Sequence, residues 1–390
     1  MYTAVFPLAR TVEALRNDEL SLVQHVHAVC DRIEMAEPYL HVFVPEPRRR
    51  ERLVEDAVEL VELYTEPERR PPLFGALVGV KDIFRVDGFF TRAGSELPPE
   101  LFEGPEASAV TRLKQAGALI AGKTVTTEFA YFQPGPTRNP HNLAHTPGGS
   151  SSGSAAGVAA GFFPLALGTQ TIGSVIRPAA FCGVIGFKPS YDRIPTDGLL
   201  YFSQSLDHVG LFTQDLEGMA LACSVLCDDW DADAARPAET PPVLLVPEGE
   251  YLDRASAEGR YAFDEHLSRL EKAGVRVLWT RFFEDFWELE EEHRRLMAGE
   301  AARVHREWYA RYDYLYSEHM HEIMAVGSQV TEAEMETARA NQRKLRQALQ
   351  EKLTELGADL WVAPPARGPA PEGIESTGNP IMNLPWTNAG

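Results

Sequence analysis

The residue types best suited to chemistry lie in two glycine- and serine-rich runs, Pro147-Gly-Gly-Ser-Ser-Ser-Gly-Ser-Ala-Ala156 and Leu167-Gly-Thr-Gln-Thr-Ile-Gly-Ser-Val-Ile-Arg-Pro178. Glycine and serine at this density let the backbone turn sharply and aim several N–H groups at one point, the arrangement that holds an anion or a developing oxyanion. A flexible linker has a similar composition, but linkers are not bounded by apolar strand candidates on both sides, as these runs are. Two generic patterns compete with this reading. Gly117-Ala-Leu-Ile-Ala-Gly-Lys-Thr124 satisfies the phosphate-cradling G-x-x-x-x-G-K-[ST] pattern. Its interior is apolar, however, and reads as a strand rather than as the loop after one, and no strand ending in an acidic magnesium partner accompanies it. Gly149-Ser-Ser-Ser-Gly153 satisfies G-x-S-x-G with Ser151 at its centre. That elbow needs a strand leading straight into it, whereas Asn139 to Pro147 reads as a loop.

The elements that would position these residues follow from periodicity. Val12, Leu15, Leu22, Val26, Val29 and Ile33 recur at helical spacing from Thr11 to Glu37, with Pro38 as the expected stop, and a charged helix is expected from Arg48 to Tyr64. From Leu73 to Leu211 the texture changes to short apolar runs (Ala76 to Val80, Ala118 to Ala121, Pro164 to Leu167, Val184 to Phe187) separated by small residues. Such runs suit buried strands of a parallel or mixed sheet. After the proline-rich stretch from Arg236 to Pro242, strands at Val243 to Val246 and Val275 to Trp279 flank a helix from Ala255 to Ala273. The segments from Phe282 to Tyr312 and from Glu332 to Leu356 are helical in period, and the acidic run Glu288 to Glu292 reads as a solvated helix face. The fold class is α/β.

Composition narrows the function classes. A chain of 390 residues, 44% hydrophobic and 24% charged, can bury a large core. Its N-terminus lacks the basic start and apolar run of a secretory signal, and no stretch reaches the roughly 18 to 20 apolar residues of a membrane span, so a cytoplasmic address without membrane association is expected. The formal charge of −20 argues against direct nucleic-acid contact, which needs clustered Lys and Arg. Cys223 and Cys227, two of four cysteines, sit four apart on an expected helix and read as small buried hydrophobes rather than metal ligands.

The motifs resemble those of the amidase signature family. The likeness runs from Gly79-Val-Lys-Asp82 through Gly122-Lys-Thr124, Asn139-Pro140 and the glycine–serine block to Gly173-Ser-Val-Ile-Arg-Pro-Ala179, Cys182-Gly183 and Gly186-Phe-Lys-Pro189. It fades through Ser205-Leu-Asp-His-Val-Gly210 and returns weakly at Asn383-Leu-Pro385. The resemblance implies an α/β fold with a mixed, largely parallel central sheet covered by helices on both faces. It implies one amidase domain over residues 1–390, with N-terminal helices in 1–70, the motif-bearing core in 71–212 and a peripheral region in 213–390.

By the same resemblance, the catalytic lysine falls on Lys81, the serine after a cis peptide on Ser150 and the nucleophile on Ser174, the two serines standing 24 positions apart as in the family. Backbone N–H groups of Thr171, Ile172, Gly173 and Ser174 would form the oxyanion hole, and Ser151, Gln170 and Arg177 would contact the substrate. A lysine activates a serine only as a neutral amine, so Lys81 should be buried. The implied activity is hydrolysis of a small-molecule amide through an acyl-enzyme, with no metal or organic cofactor. The Thr169-Gln-Thr171 loop resembles the branch acting on small amides such as malonamate. Two other classes stay open: the glutaminase component of a tRNA-dependent amidotransferase, which needs partner subunits, and a non-catalytic scaffold. The oligomeric state is open, with a homodimer as one candidate.

Two departures stand out. Ile172 replaces a glycine of the family, and a positive φ there would strain a β-branched residue. Family members also continue beyond the region of Asn383 with a further strand, loop and helix, whereas this chain stops at Asn388-Ala-Gly390, so a truncated C-terminal part is expected.

Overall fold

A computed structural model describes residues 1–236 and 238–390; Pro237, within the proline-rich stretch, lies outside the described residues. The strands are β1 (Leu77–Lys81), β2 (Leu119–Thr124), β3 (Leu165–Gln170), β4 (Ile185–Phe187), β5 (His208–Thr213), β6 (Leu244–Glu248), β7 (Val277–Arg281) and β8 (Leu360–Trp361). They form two sheets. The first has five strands in the order β2-β1-β3-β5-β4, with β1 parallel to both β2 and β3, and β5 antiparallel to both β3 and β4. The second has the order β7-β6-β8 and is wholly parallel. The α/β class and the mixed, largely parallel pairing match the expectation, although the strands divide between two sheets.

Period-two alternation explains why the first sheet is buried on both faces. Val78, Val80, Leu165, Leu167, Val209 and Leu211 point into one apolar cluster, with the helices Ser108–Gln115 and Leu216–Leu226. Leu77, Ala166 and Phe212 point into another, against the N-terminal helices and the short helix Ser152–Ala159. Small residues on this second face let that glycine- and serine-rich helix lie close. A Cβ on Gly168 would stand 2.6 Å from the Phe212 ring and 2.8 Å from Ser151 Oγ, so the glycine is a packing requirement.

Several local expectations change. The apolar run from Thr11 onward makes two helices, Leu8–Arg16 and Leu22–Leu40, because Asp18 takes a positive φ of 58° and Ser21 caps a new start. Pro38 sits inside the second helix, which ends two residues later at a left-handed His41. Strand β5 has no continuous apolar run, since Gly210 interrupts it and His208 begins it; tertiary pairing rather than local pattern makes it a strand. The acidic run is not simply a solvated face. Glu290 pairs with Arg254 at 3.3 Å, Glu291 with Arg294 at 2.7 Å, and Glu292 accepts from Asn341 Nδ2 at 2.7 Å. Cys223 and Cys227 are free thiols, both buried, and among the described residues no His, Cys, Asp and Glu cluster could hold a metal ion. Among those residues no helix is long and apolar enough to cross a membrane.

Candidate active site

Lys81 is the last residue of β1, Thr169 and Gln170 end β3, and Asp207 immediately precedes β5. Because β1 and β3 are parallel and β5 runs against them, all four residues meet at one edge of the sheet, where open α/β sheets place their ligand sites. The Gly149–Ser150 peptide is cis and Ser150 precedes the helix Ser152–Ala159. Lys81 Nζ donates to Ser150 Oγ and to Thr169 Oγ1, each at 2.7 Å. The lysine is fully buried, and that burial pushes its pKa down to about 7 although the Asp207 carboxylate pulls the other way. Near neutral pH a large share of Lys81 is therefore an uncharged amine.

Sequence reasoning misses Asp207 as a site residue, yet it organises the site. It accepts from Thr171 Oγ1 at 2.6 Å and from the backbone N–H groups of Phe202 (2.7 Å) and Ser203 (3.0 Å). Burial raises its pKa to about 6 against these hydrogen bonds and the Lys81 charge. The only sequence signal for it is the acid inside Ser205-Leu-Asp-His-Val-Gly210.

Residues 171–174 form the bend between β3 and the helix Ile176–Cys182. Among the described residues none of the four backbone N–H groups from Thr171 to Ser174 donates to another group, so the bend presents unused donors beside a serine that is 8% exposed. Ile172 does not take a positive φ, and the strain anticipated for it does not arise. The bend is held from behind. Thr387 Oγ1 donates to the Ile172 carbonyl at 2.5 Å, and a Cβ on Gly173 would strike Asn383 Oδ1 at 2.3 Å, which makes glycine obligatory under that side chain.

Two residues expected at the substrate are engaged elsewhere. Gln170 Oε1 accepts from the N–H groups of Val175 (2.9 Å) and Ile176 (3.0 Å), replacing a side-chain cap at the start of the following helix, and its Nε2 donates to Thr387 Oγ1 at 2.9 Å. Ser151 is fully buried and its Oγ lies between the Thr169 carbonyl (3.2 Å) and the Thr169 N–H (3.3 Å). Both hydroxyl and amide thus satisfy backbone that would otherwise be orphaned. Arg177 is different. Its Nη2 donates to the Gly149 carbonyl (2.8 Å) and Thr377 Oγ1 (3.1 Å), while Nε and Nη1 are buried without a partner. Ser174 and Arg177 line one small chamber together with Thr171 and Ile172. Among the described residues no hydrogen bond joins the Ser174 hydroxyl to Ser150, so the expected chain of three groups is closed only between Lys81 and Ser150. The second motif, Gly117 to Thr124, is β2 itself: Lys123 forms a buried ion pair with Asp82 at 2.7 Å and donates to Thr91 Oγ1 at 3.1 Å. That lysine is not available to a phosphate.

Comparison with known proteins accords with this geometry. The amidase-type component of the glutamyl-tRNA(Gln) amidotransferase of Carboxydothermus hydrogenoformans is 36% identical over 286 residues, which cover 67% of this chain and 58% of that protein. The corresponding component of the Thermus thermophilus amidotransferase is 36% identical over 291 residues, 69% of this chain and 59% of its own. This chain thus spans somewhat over half the length of these curated relatives. A solved amidase superposes with a TM-score of 0.86 at 29% identity, covering 99% of this chain and 90% of its own. A structure reported for the evolutionary origins of an s-triazine catabolic enzyme gives 0.85 at 26%, covering 99% and 89%. The sequence profile of the Amidase family matches residues 24–384, a span that takes in the buried lysine, both serines and the bend that follows β3, and the chain belongs to that family.

Proposed function

We propose that the chain is an amidohydrolase that cleaves a small carboxamide through a serine acyl-enzyme, with Ser174 as nucleophile. The observation that carries this reading is the buried amine of Lys81, 2.7 Å from Ser150 Oγ and shifted toward neutrality, beside a bend with four unused N–H donors. A neutral lysine takes a proton from Ser150 as that hydroxyl takes one from Ser174, so the Ser174 oxygen gains its nucleophilicity without a free charge being created in a buried site. The alkoxide oxygen adds to the amide carbon, and the carbonyl oxygen becomes an oxyanion facing the N–H groups of residues 171–174. The proton returns through Ser150 to the leaving nitrogen, the C–N bond breaks, and ammonia or an amine departs. Water then adds to the acyl-enzyme by the same relay and releases the carboxylate. In this reading Ser174 turns about χ1 to meet Ser150 once substrate is bound, since catalytic hydrogen bonds often close only in the complex. Arg177 lines the same chamber with two unpartnered nitrogens and would hold an oxygen of the substrate. A cytoplasmic address goes with this function.

The test is ammonia release from a panel of small amides, malonamate, glutamine and aryl amides included, together with labelling by a fluorophosphonate. Turnover and labelling are expected, and both should vanish in Ser174→Ala. Labelling that persists in Ser174→Ala would sink the assignment.

The curated relatives favour a second reading, in which the same chemistry serves as a glutaminase within an amidotransferase and other subunits contact the tRNA. Glutamine as the preferred amide, and co-purification of the native protein with further polypeptides, would select it over a free-standing amidase.

A further inference from the structure

The chamber that holds Ser174 is about 10 Å³, room for roughly one water-sized group. A second chamber of about 460 Å³ lies beside it and shares its walls at Tyr131, Phe132, Ile172, Met297 and Pro380. Ile172 occupies a particular place among these. Its half-buried side chain packs both against the large cluster around the five-stranded sheet and against the cluster of the three-stranded sheet, so it stands where the two cores meet. Its backbone is fixed by the Thr387 hydrogen bond to its carbonyl, and its β-branch restricts χ1. The partition it makes is therefore stiff. The inner wall of the outer chamber is apolar and aromatic, from Tyr131, Phe132, Met297, Ile381 and Leu384, whereas the charged Glu290 and Arg294 already have partners in Arg254 and Glu291.

We infer that Ile172 is a specificity-determining residue that divides the acyl site into a narrow inner slot and an apolar outer chamber, selecting amides with an unbranched α-carbon that carry an aryl or alkyl group beyond it. This inference rests on the amide-hydrolysis reading for the identity of the ligand. Its physical content is simple. The carbonyl carbon must reach Ser174 through a slot that accepts a CH₂ but not a quaternary carbon, and the group beyond the slot gains free energy by leaving water for the outer chamber.

The experiment compares 3-phenylpropionamide with its 2,2-dimethyl analogue. Affinities are measured by NMR titration on Ser174→Ala and on Ser174→Ala/Ile172→Ala, where no turnover occurs, and kcat/KM is measured on the parent and on Ile172→Ala. Discrimination against the dimethyl compound should fall about 10-fold or more in both measurements, the worth of one or two methyl groups in a tight pocket. Ile172→Val, which keeps the β-branch, should give a smaller fall and guards against misfolding of the alanine variant. A discrimination ratio that stays within about twofold in the binding titrations would overturn the inference. Absence of turnover by the parent, with the binding ratio still shifting, would instead remove the hydrolase reading and leave Ile172 as the partition.

Discussion

Lys81 and Lys123 are buried one strand apart, at the neighbouring ends of β1 and β2, and their surroundings give them opposite parts. Lys123 faces the Asp82 carboxylate at 2.7 Å. Burial lowers its pKa, but the carboxylate opposes that shift, and Asp82, whose own pKa burial raises, is in turn held down by the lysine. The pair is an ion pair that joins β2 to the loop after β1. Lys81 meets only two hydroxyls, with the nearest carboxylate, Asp207, already occupied by Thr171 and two backbone N–H groups. Its charge is therefore poorly compensated, and it gives up its proton near pH 7. The lesson is that equal burial yields a structural cation or a base according to whether the partner is a carboxylate or a hydroxyl.

The comparison breaks most visibly if each lysine is replaced by methionine. Lys81→Met should lower kcat/KM for amide hydrolysis by roughly 10⁴-fold or more, as Ser174→Ala should, because groups acting as a unit fail together. Since this change removes a buried amine rather than a paired ion, thermal unfolding should stay within about 3 °C of the parent. Lys123→Met should do the reverse. It strands the Asp82 carboxylate in the core, and urea unfolding should show a loss of about 3–5 kcal/mol, most of it recovered in Asp82→Leu/Lys123→Met. If Lys81→Met instead unfolds the protein and Lys123→Met abolishes catalysis with normal stability, the parts have been assigned the wrong way round.

Smaller effects sharpen the contrast. Thr169→Val removes one of the two acceptors of the Lys81 amine and should cost about 10-fold in kcat/KM, the worth of one buried hydrogen bond. The pH profile gives the finest reading. A general base must be unprotonated, so kcat/KM should climb with pH through about 7 and level off above it. Asp207 raises the Lys81 pKa, so removing its charge in Asp207→Asn should move the rising limb to lower pH; a limb that stays put would mean that another group governs it.

Much of this site is legible in sequence because it is built on sequence-local devices. The apolar run before Lys81 reads as a strand entering a core, and the glycine–serine density reads as backbone aimed at an anion. Ser151 and Gln170 mislead for a physical reason: a buried hydroxyl or amide looks the same in sequence whether it faces a ligand or a neighbouring peptide group. Thr387 and Asn383, which hold the oxyanion bend, stand more than 200 positions from it, and no local pattern marks them. The outer chamber escapes sequence reading for the same reason, since residues 290–297 and 375–381 meet Tyr131 and Phe132 only after the chain has folded back.

What the amino-acid order determined alone was the alternation that buries both faces of the five-stranded sheet, the small residues that let one helix lie against it, and the sharp turns at Ser150 and Ser174. Tertiary structure decided which polar groups became chemistry. Desolvation depends on every atom packed around a group and not on its neighbours in the chain, so only the assembled fold made Lys81 a base, Lys123 a cation and Ile172 a wall between two chambers.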